Sequence, residues 1–338
     1  MKPLLASLLL LLMAKPIISA ADAVAELAAF SVFDKVDINA LAKSDVKTEK
    51  VPPMSNARFL AVQSCYVTSG APAKQIEALR QWNPTKHREL KIFLHSDLPR
   101  SPSTADFSKL KNAPDNGSVR TLVADTEKMS SDLQISREEA KKFSSGGEKG
   151  GGGAMPAPVA AFWADLLNAR ARSFASGGTS AQSPYDHTGE AIKPGDELNG
   201  LLKQQDKIRR QFSVFLGETG IGRGAGSLGP ELYWELLDVD DKGVLTLGAS
   251  YSRAGGAGTY QAADVLYYAS GGYYVALTLY QMWPVSADGK PSTLVWRGDM
   301  ISSASLASLH GVERLASEGA MMKDISKAVT AFRKDTGR

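Results

Sequence analysis

The sequence predicts an α+β protein: an antiparallel curved sheet packed on a long C-terminal helix, with a large helical insertion after the first strand. Three observations carry this. Eight of the ten tyrosines lie between 233 and 280, and three of the five tryptophans between 234 and 296. Such a concentration of aromatics favours strands. Short turn sequences divide the same region: Asp240-Asp241-Lys242-Gly243, Ser270-Gly271-Gly272 and the slightly longer "ADGKP" at 287–291. Short connections force antiparallel neighbours. Finally, the chain closes on "SLASLHGVERLASEGAMMKDISKAVTAF", where Leu306, Leu309, Val312, Leu315, Met322, Ile325, Val329 and Phe332 suit one face of a long amphipathic helix.

Taken in order, the chain opens with Lys2, an apolar run from Leu4 to Met13, and small residues at Ser19, Ala20 and Ala21. This is the three-part pattern of a secretory signal over 1–21. Cleavage after Ala21 puts Ser19 and Ala21 where small side chains are wanted, and cleavage after Ala20 fits nearly as well. The run is shorter than the roughly 20 apolar residues that span a bilayer. A periplasmic or secreted protein without a transmembrane segment is expected. With Cys65 as its only cysteine, the chain has no internal disulfide framework. Removing Lys2 and Lys15 leaves 37 basic residues against 36 acidic ones. That balance gives no long-range field for nucleic acid or anionic lipid.

An N-terminal segment, 22–56, begins helically at "AVAELAAF". A single α+β domain is expected over 57–338, with the helical and loop insertion at about 83–230. Its first strand is "NARFLAVQSCYVTSG", rich in β-branched and aromatic residues. Pro72 then opens the helix "APAKQIEALRQW". "ELKIFLHSDL" is a further strand candidate. Residues 97–118 read as loop, and "TLVADTEKMSSDLQISREEAKKF" as partly helical. "SSGGEKGGGG" marks a flexible linker at about 144–155. "PAPVAAFWADLLNARARSFA" and "DELNGLLKQQDKIRRQFSVFL" show helical apolar spacing. Five strands follow, at about 231–238, 244–253, 259–269, 273–283 and 293–301.

Most motifs with a chemical precedent lack the context their chemistry requires. "GRGAGSLGPELYW" holds G-x-G-x-x-G at Gly224, Gly226 and Gly229. A phosphate cradle needs a strand before the glycines and a helix after them. Here the order is reversed, so the run reads as a helix-to-strand seam whose functional role would be mobility at a cavity edge. "DVDDKG" at 238–243 lacks the oxygen ligands of a calcium loop at Lys242 and Ala249 and reads as a hairpin turn. His87, His95, His187 and His310 show no metal-ligand spacing. Cys65 lies mid-strand with no visible activating partner. No catalytic residue, metal ligand or cofactor site is assigned.

The aromatic strands remain. In 273–283, Tyr273, Val275, Leu277, Leu279 and Trp283 alternate with Tyr274, Ala276, Thr278, Tyr280 and Met282, so both faces are largely apolar. Such a sheet is either covered on both faces or curled around something. Helices from the middle of the chain and the C-terminal helix supply the first solution. A cavity lined by tyrosine rings and hydroxyls is the second, with Tyr233, Tyr251, Tyr260, Tyr268, Tyr274, Tyr280 and Trp296 as candidate lining.

The element order, carried by "VQSCYVTSGAPAKQIEALRQW", "YWELLDVDDKGVLTLGASYS" and "TLVWRGDMISS" with the helix after it, resembles the helix-grip topology of the START-like (polyketide cyclase and lipid-transfer) superfamily. The resemblance covers about 57–82 and 231–334. It implies a curved sheet that wraps the last helix around an apolar cavity, and it carries over no catalytic residue. The functional expectation is a protein that binds an apolar or amphipathic, lipid-like small molecule between sheet and C-terminal helix. The alternatives are a non-catalytic envelope protein that binds another protein, and a hydrolase built around His187 or Cys65.

Overall fold

The computed structural model describes residues 20–43, 46–144 and 155–336. Residues 1–19 of the expected signal segment and 145–154 of the expected linker lie outside them. The elements are α1 (Ala20–Phe30), α2 (Ile38–Lys43), β1 (Lys47–Lys50), β2 (Phe59–Ser69), α3 (Pro72–Gln81), β3 (Ile92–Leu98), α4 (Gly117–Glu127), α5 (Arg137–Ala140) and α6 (Ala157–Gly177). They continue through α7 (Pro194–Lys203), α8 (Asp206–Gln211), α9 (Ser213–Thr219), β4 (Glu231–Val239), β5 (Lys242–Ala254), β6 (Tyr260–Ala269), β7 (Val275–Ala287), β8 (Lys290–Ser302), α10 (Ala304–Ala307) and α11 (Gly311–Thr336). One antiparallel sheet takes all eight strands in the order β1-β2-β8-β7-β6-β5-β4-β3. The expected α+β class holds.

The turns set the register as their chemistry requires. Asp240 and Asp241 both take positive φ (51° and 62°) between β4 and β5, and Asp288 and Gly289 (47° and 74°) do so between β7 and β8. Two successive positive φ values are what a two-residue hairpin needs to match strand twist. One edge strand lies outside the expected set: β1 comes from the N-terminal segment and pairs with β2. The candidate "ELKIFLHSDL" supplies the other edge, β3, which pairs with β4.

Both sheet faces are covered. One face packs Phe59, Cys65, Leu247, Leu279, Trp283 and Trp296 against a layer built from α1 and α6–α9. The four large indoles of that layer and face all find acceptors: Trp163 donates to Thr126 Oγ1, Trp234 to the Asp106 carbonyl, Trp283 to Glu26 Oε2 and Trp296 to Gln63 Oε1. The helix expected at "DELNGLLKQQDKIRRQFSVFL" is broken into α7, α8 and α9. A straight helix would turn Ile208 about 120° away from Leu202. The breaks at Gln204–Gln205 and Phe212 let Leu202, Ile208, Phe212 and Phe215 all point inward.

The opposite face carries α3 and α11. Ile76 of α3 and Ile325 and Val329 of α11 pack on Val62, Tyr66, Val295, Tyr280 and Met282. The closing helix is shorter than its apolar pattern suggested. Gly311 (φ +51°) separates α10 from α11, and Val312 and Leu315 remain 81% and 54% exposed. α11 is seated over β1 and β2 rather than across the middle of the sheet. Arg314 holds it there by donating to the carbonyls of Ala57 and Phe59, and Trp82 and His87 meet Asp335 at its far end.

One ion pair ties the helical layer to the sheet. Arg170 Nη2 lies 2.6 Å from Glu139 Oε2, and its guanidinium stands 4.4 Å from the Tyr268 ring centre. Both charges are buried. Removing one partner of such a pair leaves the other uncompensated. Arg170→Leu is expected to cost about 3–5 kcal/mol in denaturant unfolding, and Arg170→Leu combined with Glu139→Leu to recover part of that loss.

Candidate functional site

On the α3 and α11 side, the register lines up one residue from each of six neighbouring strands: Val62, Asp299, Thr278, Asp264, Ser250 and Glu231. Five of the six are polar. Thr278, Asp264 and Ser250 are only partly buried, as are the flanking Leu266, Ala276, Ile301 and Tyr233. This stretch of the face is therefore an amphipathic groove between the helices, not a dry core. Next to it, α3 and the ends of β5 and β6 enclose a cleft of about 590 Å³, lined by Ile76, Glu77, Arg80, Ser252, Ala254 and Tyr260 among others.

Asp264 is the chemical centre of the groove. Tyr233 donates to its Oδ1 at 2.6 Å and Ser250 to its Oδ2 at 2.5 Å. Tyr233 belongs to β4 and reaches across β5 to β6. It does so because Gly248, its register partner, has no side chain, and a Cβ there would overlap the Tyr233 ring. Burial pushes the Asp264 carboxyl above its usual range, and the charge of Glu235 adds to the rise, while Ser250, Tyr233 and Arg297 act against it. Burial also drives the Tyr233 hydroxyl well up, reinforced by Asp264.

Three cations of this face have carboxylate partners. Arg297 grips Asp299 with Nε and Nη2, at 2.8 Å to Oδ2 and 2.7 Å to Oδ1. Arg80 pairs with Glu231 at 3.1 Å, and His95 Nδ1 lies 3.0 Å from Glu235. Burial disfavours the charged His95 ring, but Glu235 outweighs it and the ring's pKa is raised. Two fully buried hydroxyls on the same face, Ser64 beside Arg297 and Thr246 beside Glu235, have no hydrogen-bond partner among the described residues.

The seven aromatic candidates do not converge on one space. Tyr233, Tyr260 and Tyr280 share the α3 and α11 face, and Tyr260 lines the larger cleft. Tyr268 and Trp296 are fully buried against the helical layer, with Tyr274 packed on the rim of that core. Tyr251 lies on that side too and lines a smaller pocket of about 220 Å³. This pocket is walled by the glycine-rich seam. α9 precedes the glycines and β4 follows them, the reverse of a phosphate cradle. Gly178, Gly220 and Gly226 allow close backbone packing, since a Cβ on any of them would strike neighbouring main chain. The seam is packed at Gly220, Gly222 and Gly226, while Gly224 and Gly229 stand exposed at the pocket wall.

The other singled-out residues are engaged structurally. Cys65 is buried in the core, which pushes its thiol up to about 12 despite the charge of Lys47. His87 and His95 stand apart, the first on Asp335 and Glu89, the second on Glu235. His187 is held by the Met129 carbonyl. Among the described residues no cluster of His, Cys, Asp and Glu is arranged to hold a metal ion, and no helix is long and apolar enough to cross a membrane. Sequence reasoning did not single out Asp264, Ser250 or Gly248. Their meeting depends on register across three strands. The one local signal was a charged residue amid the apolar run "YQAADVLYYA". Compared with protein families, characterised proteins and solved structures, the chain has no match.

The raised Asp264 fixes a sign for pH dependence. The folded chain holds this proton more tightly than the unfolded chain. The resulting stability is complete below the ordinary value of 3.8 and is lost as pH rises through the folded value. Asp264→Asn removes the titration. Its melting temperature relative to the parent is expected to rise between pH 4 and pH 8. A difference that stays constant over that range contradicts the assignment.

Proposed function

We propose that the protein binds an amphipathic, lipid-like small molecule on the sheet face that α3 and α11 cover, and that it does so as a periplasmic or secreted protein of START-like descent. The observation that carries the reading is the polar row through Asp264, partly exposed in the middle of a large sheet and adjoining a cleft of about 590 Å³. A sheet face meant only as core is lined with apolar side chains. Here apolar Ile76, Leu266, Ala276 and Ile301 alternate with hydroxyls and carboxyls, the mixed lining of a small-molecule site. The element order behind the START-like resemblance is kept from β2 to α11, which supports the family reading.

A second reading has its own observation. Val312 and Leu315 stand exposed on the first half of α11, and exposed apolar side chains on a helix suit a protein partner. The two readings separate by experiment. Solvent extraction of the purified protein followed by mass spectrometry is expected to release an amphiphile. The neutral probe N-phenyl-1-naphthylamine is expected to bind and fluoresce. Ala254→Trp, which fills the cleft from an exposed strand end, is expected to weaken the probe at least tenfold, while a Val312→Ser, Leu315→Ser variant leaves it unchanged. No extracted amphiphile and no probe binding would sink the small-molecule reading.

A further inference from the structure

The charges on the groove face are distributed unevenly. Arg297 is matched by Asp299, Arg80 by Glu231 and His95 by Glu235. Lys91, at the β3 edge, is matched by Asp238, and Lys109 donates to the His95 carbonyl and to Ser96. Asp264 has only neutral donors, the hydroxyls of Tyr233 and Ser250, and makes no ion pair among the described residues. Each carboxylate oxygen accepts one hydrogen bond from the protein and has capacity for another. Both oxygens lie at a partly exposed position, beside apolar Leu266 and Ala276 and within one register step of the Tyr280 ring.

We propose that the polar end of the bound amphiphile is a cation, an alkylammonium group seated on the Asp264 carboxylate beside Tyr233, Ser250 and Thr278. This rests on the amphiphile reading above and names its chemical class. An ammonium supplies the donors that the two carboxylate oxygens lack and the charge that this face leaves unmatched. The Tyr233 hydroxyl is fixed by its bond to Asp264, so the acceptor is held in place before the ligand arrives. Raised by burial, the empty carboxyl is reluctant to ionise, and an arriving cation removes that reluctance. An anionic head meets the opposite situation, with the Arg297 guanidinium already gripped by Asp299 and Asp264 facing it as a like charge.

The test compares decylammonium with decanoate, equal in chain length and opposite in charge, by calorimetry on the full chain at neutral pH. Decylammonium is expected to bind at least tenfold more tightly. Asp264→Asn is expected to abolish that preference by weakening decylammonium about tenfold and leaving decanoate unchanged or tighter. The Val312→Ser, Leu315→Ser variant, which alters only exposed side chains of α11, is expected to preserve the preference. Equal binding of the two amphiphiles, tighter binding of decanoate, or an unchanged preference in Asp264→Asn overturns the cation assignment while the amphiphile reading survives. If neither amphiphile binds the parent protein, both fall.

Discussion

Strand β2 is out of water on both faces along nearly its whole length, and most of the molecule is arranged to make that possible. Nearly every residue of β2, from Phe59 to Thr68, is buried. A strand can lose its polar side only if something covers each face. The helical layer of α1 and α6–α9 covers one, filled by Trp283, Trp296 and their neighbours. α3 and α11 cover the other. The bent path of α7, α8 and α9, the short loop that returns from β2 into α3, and the docking of Arg314 at the start of α11 all serve this coverage.

The two coverings differ in kind. The helical layer is close-packed, and its polar atoms are mostly satisfied from within, as by Glu26 on Trp283 and Gln63 on Trp296. Even its ion pair, Arg170 with Glu139, is sealed between tyrosine rings. The α3 and α11 side instead leaves a gap over β5, β6 and β7, because α11 sits towards the β1–β2 edge. Polar side chains occupy that gap. Burying a carboxyl such as Asp264 is costly unless its hydrogen bonds are made. The protein makes two of them, one by passing Tyr233 over Gly248 and one from Ser250 on the neighbouring strand. Stability alone would be served better by an apolar residue at this position.

Several elements were legible in the sequence because their causes are local. The hairpins at Asp240-Asp241 and Asp288-Gly289 follow from residues that tolerate positive φ. The strands between them follow from aromatic and β-branched content, and the observed bounds of β4, β5 and β6 fall within two residues of those expected. α6 follows from its apolar spacing. β1 was not legible, since "KTEK" has no strand signal and becomes a strand only by pairing with β2. The tyrosines gave a right composition but a mixed geometry. Tyr260 and Tyr280 turn to one face and Tyr251, by strand alternation, to the other; Tyr268 joins Tyr251 because the β-bulge between Leu247 and Gly248 shifts the register of β6.

By itself the sequence determined the α+β class, the antiparallel strand run, the helical middle and the closing helix, all products of short-range propensity and apolar periodicity. It also ruled that the glycine run is no phosphate cradle, because the order of helix and strand around it is local. Only the tertiary structure decided which polar residues meet. Asp264, Tyr233, Ser250 and Gly248 are spread over 32 positions of sequence and three strands, and their contact depends on register, which no single strand encodes. The same holds for the position of α11. Its apolar stripe states that it must pack, while the shape of the sheet and the anchor at Arg314 decide where, and so leave the groove uncovered.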